Sequence, residues 1–537
     1  MRRAWWLWLT AGCAVLLACS SRNGKPIGGD GSGDPEAAGE RLTLFFSTEL
    51  KGQLEPCGCT SDPMGDLART AALVESARAG GTPVLFFDGG SMLYEHEKPS
   101  SEEQLAHEKL KAGTLLEVME KKIKPAAAGV GPFDLAGGEA EVKPDRQAVN
   151  LPAGSTIRVE PPKVVTAGKV KVGVFGLSGM QGAGDPVEAG TKAAALLRGG
   201  GAQVVVALAH MPRADAVKAA RKMKGVDFVL VGQKAPEPGL VSDEPLQAGD
   251  AWVFQPGNRG QIISRLELGV HSGGGVFVDA VGAPRVQLMK QRLAEAQGDA
   301  ARVADLQDRL AELEARAKQK PAGSWFTLEQ VRIRKQLACD TDVVAAQRAF
   351  DQKAGDAAVA AVKAKGPPPA AKKGEAGYVG IEECSMCHQS QVEFWKTTVH
   401  AKAWETLVGL GKDKSFDCVG CHVTGWEEPG GSNLAFNESL RDVQCENCHG
   451  PGSRHVEANG KEKTPSLRPG DGVEACMKCH TPEHSDTFDR EAYLRDVTGK
   501  GHGEAFRARL GDGPTGHALR AAAVAKAGSE IGAGCAK

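Results

Sequence analysis

Four copies of Cys-x-x-Cys-His constrain this chain more than any other feature. They are Cys384-Ser-Met-Cys387-His388, Cys418-Val-Gly-Cys421-His422, Cys445-Glu-Asn-Cys448-His449 and Cys476-Met-Lys-Cys479-His480. Two thiols two residues apart can form thioethers to the two vinyl groups of one porphyrin. The histidine next in line then reaches the iron from the proximal side, which is the spacing of c-type haem attachment. With 14 cysteines and 13 histidines in 537 residues, chance supplies only about 0.01 copies of the motif. A zinc ribbon also uses paired Cys-x-x-Cys, but zinc needs no histidine after every pair. Residues 384–480 are therefore expected to carry four covalently bound c-type haems. The thioethers fall on Cys384, Cys387, Cys418, Cys421, Cys445, Cys448, Cys476 and Cys479, and the proximal iron ligands are His388, His422, His449 and His480. So short a segment has no room for an ordinary core beside four porphyrins. The haems must form much of the core, close enough together for electron transfer.

The other cysteines and the charge set the compartment and the partners. Met1-Arg2-Arg3 precedes an apolar run from Ala4 to Ala18, the shape of a secretory signal. The run ends in Leu16-Leu17-Ala18-Cys19, which resembles a bacterial lipobox with Cys19 as the lipidated residue. A plain signal peptide or an N-terminal anchor helix is the alternative. Residues 1–18 are read as the signal and 19–41 as a flexible, lipid-anchored tether rich in Gly, Ser, Asp and Pro. The expected location is the periplasm, anchored to a bacterial membrane as a lipoprotein, which agrees with haem attachment outside the cytoplasm. A formal net charge of -2 offers no basic footprint, which argues against nucleic acid as a partner.

Residues 42–285 alternate apolar runs with Gly/Pro breaks and helical stretches. Strand-like runs are Leu42–Phe46, Val84–Phe87, Val170–Phe175, Val204–Leu208, Phe228–Val231 and Ile262–Leu268, and helices are expected over Leu67–Arg78 and Ala214–Met223. That alternation predicts an α/β domain. The ends of its strands read Ser47-Thr-Glu-Leu-Lys-Gly-Gln-Leu54, Gly65-Asp-Leu-Ala-Arg69, Asp88-Gly-Gly-Ser91, Gly129-Val-Gly-Pro-Phe-Asp134, Ala207-Leu-Ala-His210 and Gly232-Gln-Lys-Ala235. In this order they resemble the calcineurin-like metallophosphoesterases, in particular the periplasmic 5′-nucleotidase branch. The resemblance implies a metallophosphoesterase-like sandwich holding two metals on Asp, His and Asn. This sequence departs from it at most ligands. Glu49 and Lys51 stand for the first Asp-x-His pair and Ser91 for the bridging Asp. Val130 and Gly131 stand for Asn-His, and Gly232, Gln233 and Ala235 for the late Gly-His-x-His. Only His210 survives. Two divalent ions need several anionic or imidazole ligands, so the expectation is a phosphoesterase-like fold that has lost its catalysis. Cys57 and Cys59 lie two residues apart at the first of these turns. They read either as a metal or redox pair or as a local disulfide or structural thiols. Cys339 and Cys535 are isolated and either pair with each other or stay reduced.

Residues 286–362 are expected to be a helical connector. Val286, Met289, Leu293 and Ala296 are spaced for one helix, and Val303, Leu306, Leu310, Leu313 and Ala317 for a second that Asp299 caps. Further helix is expected over Thr327–Lys335 and Asp342–Ala361. Residues 363–377, rich in Lys, Pro and Ala, read as a linker. The cytochrome domain, mainly α and irregular, takes 378–503, and 504–537 is a tail of uncertain structure.

The sixth iron ligand follows by elimination. From Tyr378 onward the only methionines are Met386 and Met477, both inside Cys-x-x-Cys loops, whereas His400, His455, His484, His502 and His517 lie outside the motifs. Bis-histidine ligation and low potentials are therefore expected, since His/Met ligation raises the potential. Trp395, Trp404 and Trp426 are expected either on haem faces or in simple packing. Several local stretches resemble the tetrahaem cytochrome c family typified by the electron acceptor of hydroxylamine oxidoreductase. They are Tyr378-Val-Gly, Trp395, His400-Ala-Lys-Ala-Trp404, Asp417-Cys-Val-Gly-Cys-His-Val-Thr-Gly425, Val443-Gln-Cys-Glu-Asn-Cys-His-Gly-Pro-Gly452 and Cys479-His-Thr-Pro482. The resemblance covers residues 378–502. It implies that His400 and His455 are distal ligands, that a histidine after the fourth motif (His502 here) serves a third haem, and that the His422 haem is five-coordinate. An open ferrous iron can bind nitric oxide, nitrite or hydroxylamine. The leading expectation is a membrane-tethered periplasmic electron carrier between redox donor and acceptor proteins. A haem enzyme reducing a small nitrogen oxide, or an active nucleotidase, are the alternatives.

Overall fold

The computed structural model describes residues 39–535 except 57, 143, 144, 234–240, 273, 274, 297, 320, 322, 466–472, 483, 500 and 531–533. The signal, most of the tether with Cys19, and also Cys57 and Ala235 lie outside the described residues. Among the described residues no helix is long and apolar enough to cross a membrane.

Two sheets pack face to face. The seven-stranded sheet runs in the order Val278–Asp279, Trp325–Arg332, Ile262–Val270, Glu40–Ser47, Val84–Asp88, Ala127–Gly129, Arg146–Gln147. The six-stranded sheet runs Lys163–Ala167, Val170–Ser178, Val204–His210, Phe228–Val231, Ala251–Phe254, Leu246–Ala248. Side chains alternate across a strand, and that alternation divides the core. Leu42, Leu44 and Phe46 meet Val172, Val174, Val206 and Leu208 between the sheets. Phe45 and Phe86 point the other way, onto the helices Leu67–Ala79 and Glu102–Val118. The outer face of the second sheet is covered by helices Pro186–Gly199 and Arg213–Lys222. Every residue of Val204–His210 is buried, as a parallel strand covered on both faces requires.

The connector corrects one expectation. Residues 327–335, expected to be helical, fall in the strand Trp325–Arg332 and the turn after it. This strand pairs antiparallel with Ile262–Val270, with Leu328 opposite Leu266. Its buried residues alternate, with Phe326, Leu328 and Gln330 facing inward. The period is two, so helix-favouring Leu, Glu, Gln and Arg are overridden by a waiting sheet edge. The first domain therefore does not end at 285. The helical hairpin Ala283–Glu295 and Ala300–Ala317 is an excursion from it, closed on Met289, Leu306 and Leu313. Asp299 caps the second helix by accepting the Arg302 N–H at 3.1 Å. The helix Thr341–Lys365 then packs on both helices outside the first sheet.

The 363–377 segment is held rather than loose. The Gly430 N–H donates to the Pro369 carbonyl at 2.8 Å, and the Gly377 N–H to Ser453 Oγ at 2.9 Å. The tail forms helices Glu504–Leu510 and Gly516–Ala527 and returns to the first domain. There Ser529 Oγ donates to the Ser61 carbonyl, the Cys535 N–H to Asp66 at 2.8 Å, and Cys535 forms a disulfide with Cys339.

Candidate haem centres

Each Cys-x-x-Cys-His motif overlaps or follows a single short helical turn: Ile381–Ser385, Phe416–Val419, Cys445–His449 and Glu474–Met477. The turn is closed by backbone bonds such as His388 N–H to Cys384 O at 2.9 Å and His480 N–H to Cys476 O at 2.8 Å. Closure of this kind brings the second thiol and the imidazole to the same end of the turn.

Two imidazole pairs face one another. The His388 and His455 rings lie 6.1 Å apart, centre to centre, inclined by 25°. His400 and His480 lie 6.2 Å apart at 42°. Two imidazoles bound to opposite sides of one metal at about 2.0 Å per bond have ring centres about 6 Å apart. The spacing is too wide for a hydrogen bond between the rings and matches that centre-to-centre distance. Carbonyls and hydroxyls fix the outer nitrogens: His455 Nδ1 meets the Glu462 carbonyl at 2.6 Å and His480 Nδ1 meets Ser485 Oγ at 3.0 Å. Such partners leave the opposite nitrogen for the metal and orient the ring. Burial holds His400 neutral down to about 4, with His480 adding to the effect.

The remaining motif histidines differ. Burial pushes His449 down, and His502, His388 and His455 all contribute to the shift, so His502 lies in its neighbourhood. His502 Nδ1 accepts the Gly499 N–H at 3.3 Å, and its ring meets Phe394 edge-on at 6.2 Å. His422 Nδ1 lies 2.5 Å from the Ala403 carbonyl. Of the other candidates, His484 is bonded to Thr481 Oγ1 at 2.8 Å and His517 is exposed. The thiols also pair between motifs: Cys384 shares a hydrogen bond with Cys445, and Cys479 with Cys421. Motif one therefore lies against three, and two against four. Trp395 donates to the Val443 carbonyl at 2.8 Å, Trp404 stacks under Arg441 at 4.5 Å, and Trp426 meets Phe416 edge-on at 5.9 Å. All three tie loops of the domain together.

The strand ends of the first domain converge as the sequence implies, on a different chemistry. Ser91 Oγ lies 2.8 Å from His210 Nε2, and both residues are buried. A Cβ on Gly131 would sit 2.0 Å from Ser91 Oγ and 2.4 Å from His210 Nε2, so no side chain fits where the family pattern has a ligand. Lys51 Nζ lies 3.7 Å from Glu49 and 3.7 Å above the Phe133 ring. Burial lowers His210 to about 4 and raises Asp88 to about 7. Asp134, unremarked at the ligand level in the sequence, accepts N–H groups from Ser91, Met92, Leu93 and Gly131 at 2.8–3.2 Å. Among the described residues no group of three or more His, Cys, Asp or Glu is placed to hold a metal ion. Cys59 is exposed.

The four motif turns and the facing imidazoles are those of a region similar to the c-type cytochromes, the class that binds haem covalently. More particularly, residues 383–450 match the family "cytochrome c554 and c-prime". Cytochrome c-554 of Nitrosomonas europaea is 39% identical to the matched part, which covers 14% of this chain and 40% of that protein. The chain thus spans less than half the length of this curated relative. The reduced cytochrome c554 structure from the same organism is 26% identical with a TM-score of 0.20, covering 25% of this chain and 98% of that one. The 5′-nucleotidase precursor of Thermus thermophilus is 18% identical with a TM-score of 0.41, covering 58% of this chain and 59% of that one. The chain is multidomain, a two-sheet phosphoesterase-like α/β domain followed by a helical cytochrome c554-like region.

Proposed function

We propose that this protein is a membrane-tethered, periplasmic tetrahaem cytochrome that passes electrons between redox partner proteins. The observation that carries the reading is the pair of imidazole–imidazole gaps, 6.1 Å at His388/His455 and 6.2 Å at His400/His480. When bound, each haem supplies an iron that gains and loses one electron. The chain supplies the rest. The eight motif cysteines would hold the porphyrins, with His388, His422, His449 and His480 as the proximal ligands. His455 and His400 would serve as second ligands to the first and fourth haems, and His502 to the third. Motifs one and three lie side by side, as do two and four, so haems bound on them would be neighbours. Leu16-Leu17-Ala18-Cys19 supports a lipid anchor, and the net charge of -2 supports protein partners rather than nucleic acid. Pyridine haemochrome analysis tests the haem reading. Four haems per chain are expected, and three after a Cys→Ser pair change in any one motif; unchanged haem content would defeat it.

A second reading rests on His422. Assigning His455, His400 and His502 to the other irons leaves the His422 haem without a distal histidine among the favoured candidates. Reduction of a small nitrogen oxide there predicts a spectral change on adding nitric oxide to the reduced protein. A wholly unresponsive spectrum rejects it. The phosphoesterase-like domain is read as non-catalytic. Phosphate release from AMP with added divalent metal, abolished by His210→Ala, would reverse that.

A further inference from the structure

The first domain meets the cytochrome domain at the second haem motif. Asp417 immediately precedes Cys418 and lies on the same turn, Phe416–Val419. Its carboxylate reaches across the interface to two side chains of the helix Glu102–Val118. Lys111 Nζ lies 2.9 Å from Asp417 Oδ2, and His107 Nε2 lies 3.3 Å from the same oxygen. Both partners are only 7% exposed. Lys111 also reaches Glu95 at 3.3 Å, and Glu95 is paired with Arg259 at 3.1 Å. The His107 ring packs beside Phe350 and Phe416, centres 5.6 and 6.0 Å away. The lysine and the histidine have little water around them, so the field of the lysine is weakly screened.

A ferric haem carries one more positive charge than a ferrous one. A nearby carboxylate therefore favours the oxidised form and lowers the potential; a nearby ammonium does the reverse. Asp417 alone would bias the second haem toward oxidation, and Lys111 offsets that bias from the other domain. We propose that Lys111 of the phosphoesterase-like domain is a positioning and tuning residue for the haem on Cys418, Cys421 and His422. The domain that lost its metal ligands thereby sets that haem's reduction potential. The proposal rests on the reading of that motif as a haem site.

The test is a spectroelectrochemical titration of the full-length, haem-loaded protein and of Lys111→Met and Asp417→Asn variants, with haem counted in each. Lys111→Met is expected to move one of the four midpoint potentials down. Asp417→Asn should move the same one up, with the other three unchanged, and the double variant should return toward the parent. The opposite signs separate tuning from damage, because a loosened interface that lets water in moves both variants the same way. Should Lys111→Met fail to accumulate, Asp417→Asn and Lys111→Gln carry the same prediction of sign. Four haems with no shift, shifts of one sign, or equal shifts in all four overturn the proposal. Fewer than four haems in the parent protein overturns the reading beneath it.

Discussion

His210 and Asp88 show how a buried residue's chemistry departs from its sequence context. His210 is the one residue that keeps the metallophosphoesterase pattern. Yet it is bonded to Ser91 at 2.8 Å, and burial lowers it from 6.5 to about 4. Asp88 is buried too and raised from 3.8 to about 7. The pH signs oppose. Between pH 6.5 and 4 the unfolded chain binds the extra proton at position 210, so acidification costs stability. Between about pH 7 and 3.8 the folded chain keeps the extra proton at Asp88, so acidification adds stability, and neutralisation removes it. The two effects largely cancel in the parent. Asp88→Asn exposes the histidine term alone, and its unfolding free energy should drop by up to about 3 kcal/mol from pH 7 to 4, where the parent's changes little. His210→Gln should show the reverse slope. Denaturant titrations at several pH values read both, and parallel pH profiles for all three proteins would contradict the assignment. The motif cysteines and histidines were legible residue by residue because their spacing is local. The ring that faces His388 was not fixed by spacing, since it lies 67 residues away and is brought there by the tertiary fold.

At the scale of elements, periodic apolar patterns were readable and mixed ones were not. The strands Val204–His210 and Phe228–Val231 and the hairpin capped by Asp299 follow their sequence patterns closely. Residues 325–332 do not. Thr327-Leu-Glu-Gln-Val-Arg-Ile-Arg334 satisfies a helix about as well as a strand, and the choice belongs to the edge that Ile262–Val270 offers for pairing. Leu328, 2% exposed between the sheets, is therefore a core residue of the first domain. Leu328→Ala should cost about 2–5 kcal/mol in denaturant unfolding. Leu310→Ala, on the half-buried side of the hairpin, should cost clearly less. Equal costs would return residues 325–332 to a peripheral connector. The same tertiary logic hid Lys111 and His107, which lie on an ordinary charged helix until Asp417 arrives from about 300 residues away.

For the molecule as a whole, the tail adds a second tie between the C-terminal region and the first domain. The Cys339–Cys535 disulfide spans 196 residues, a loop that contains the entire cytochrome domain. Loop-closure entropy for a span of this length contributes about 5 kcal/mol in the chain-entropy model. Cys535→Ser should leave the haem content at the parent value and lower the thermal midpoint of the interdomain transition. A variant that instead loses haem would show that the tail is needed for haem attachment.

The proposed cytochrome would hold four haems on its own histidines, three of them with a second imidazole and one, on His422, without. Electron paramagnetic resonance of the fully oxidised, full-length protein, with haem quantified on the same sample, tests it most directly. Four haems per chain are expected, three with low-spin bis-imidazole signals and one with a high-spin or weakly ligated signal that changes on adding nitric oxide to the reduced protein. Fewer than four haems, or loss of no low-spin signal on His455→Ala and His400→Ala, would contradict it.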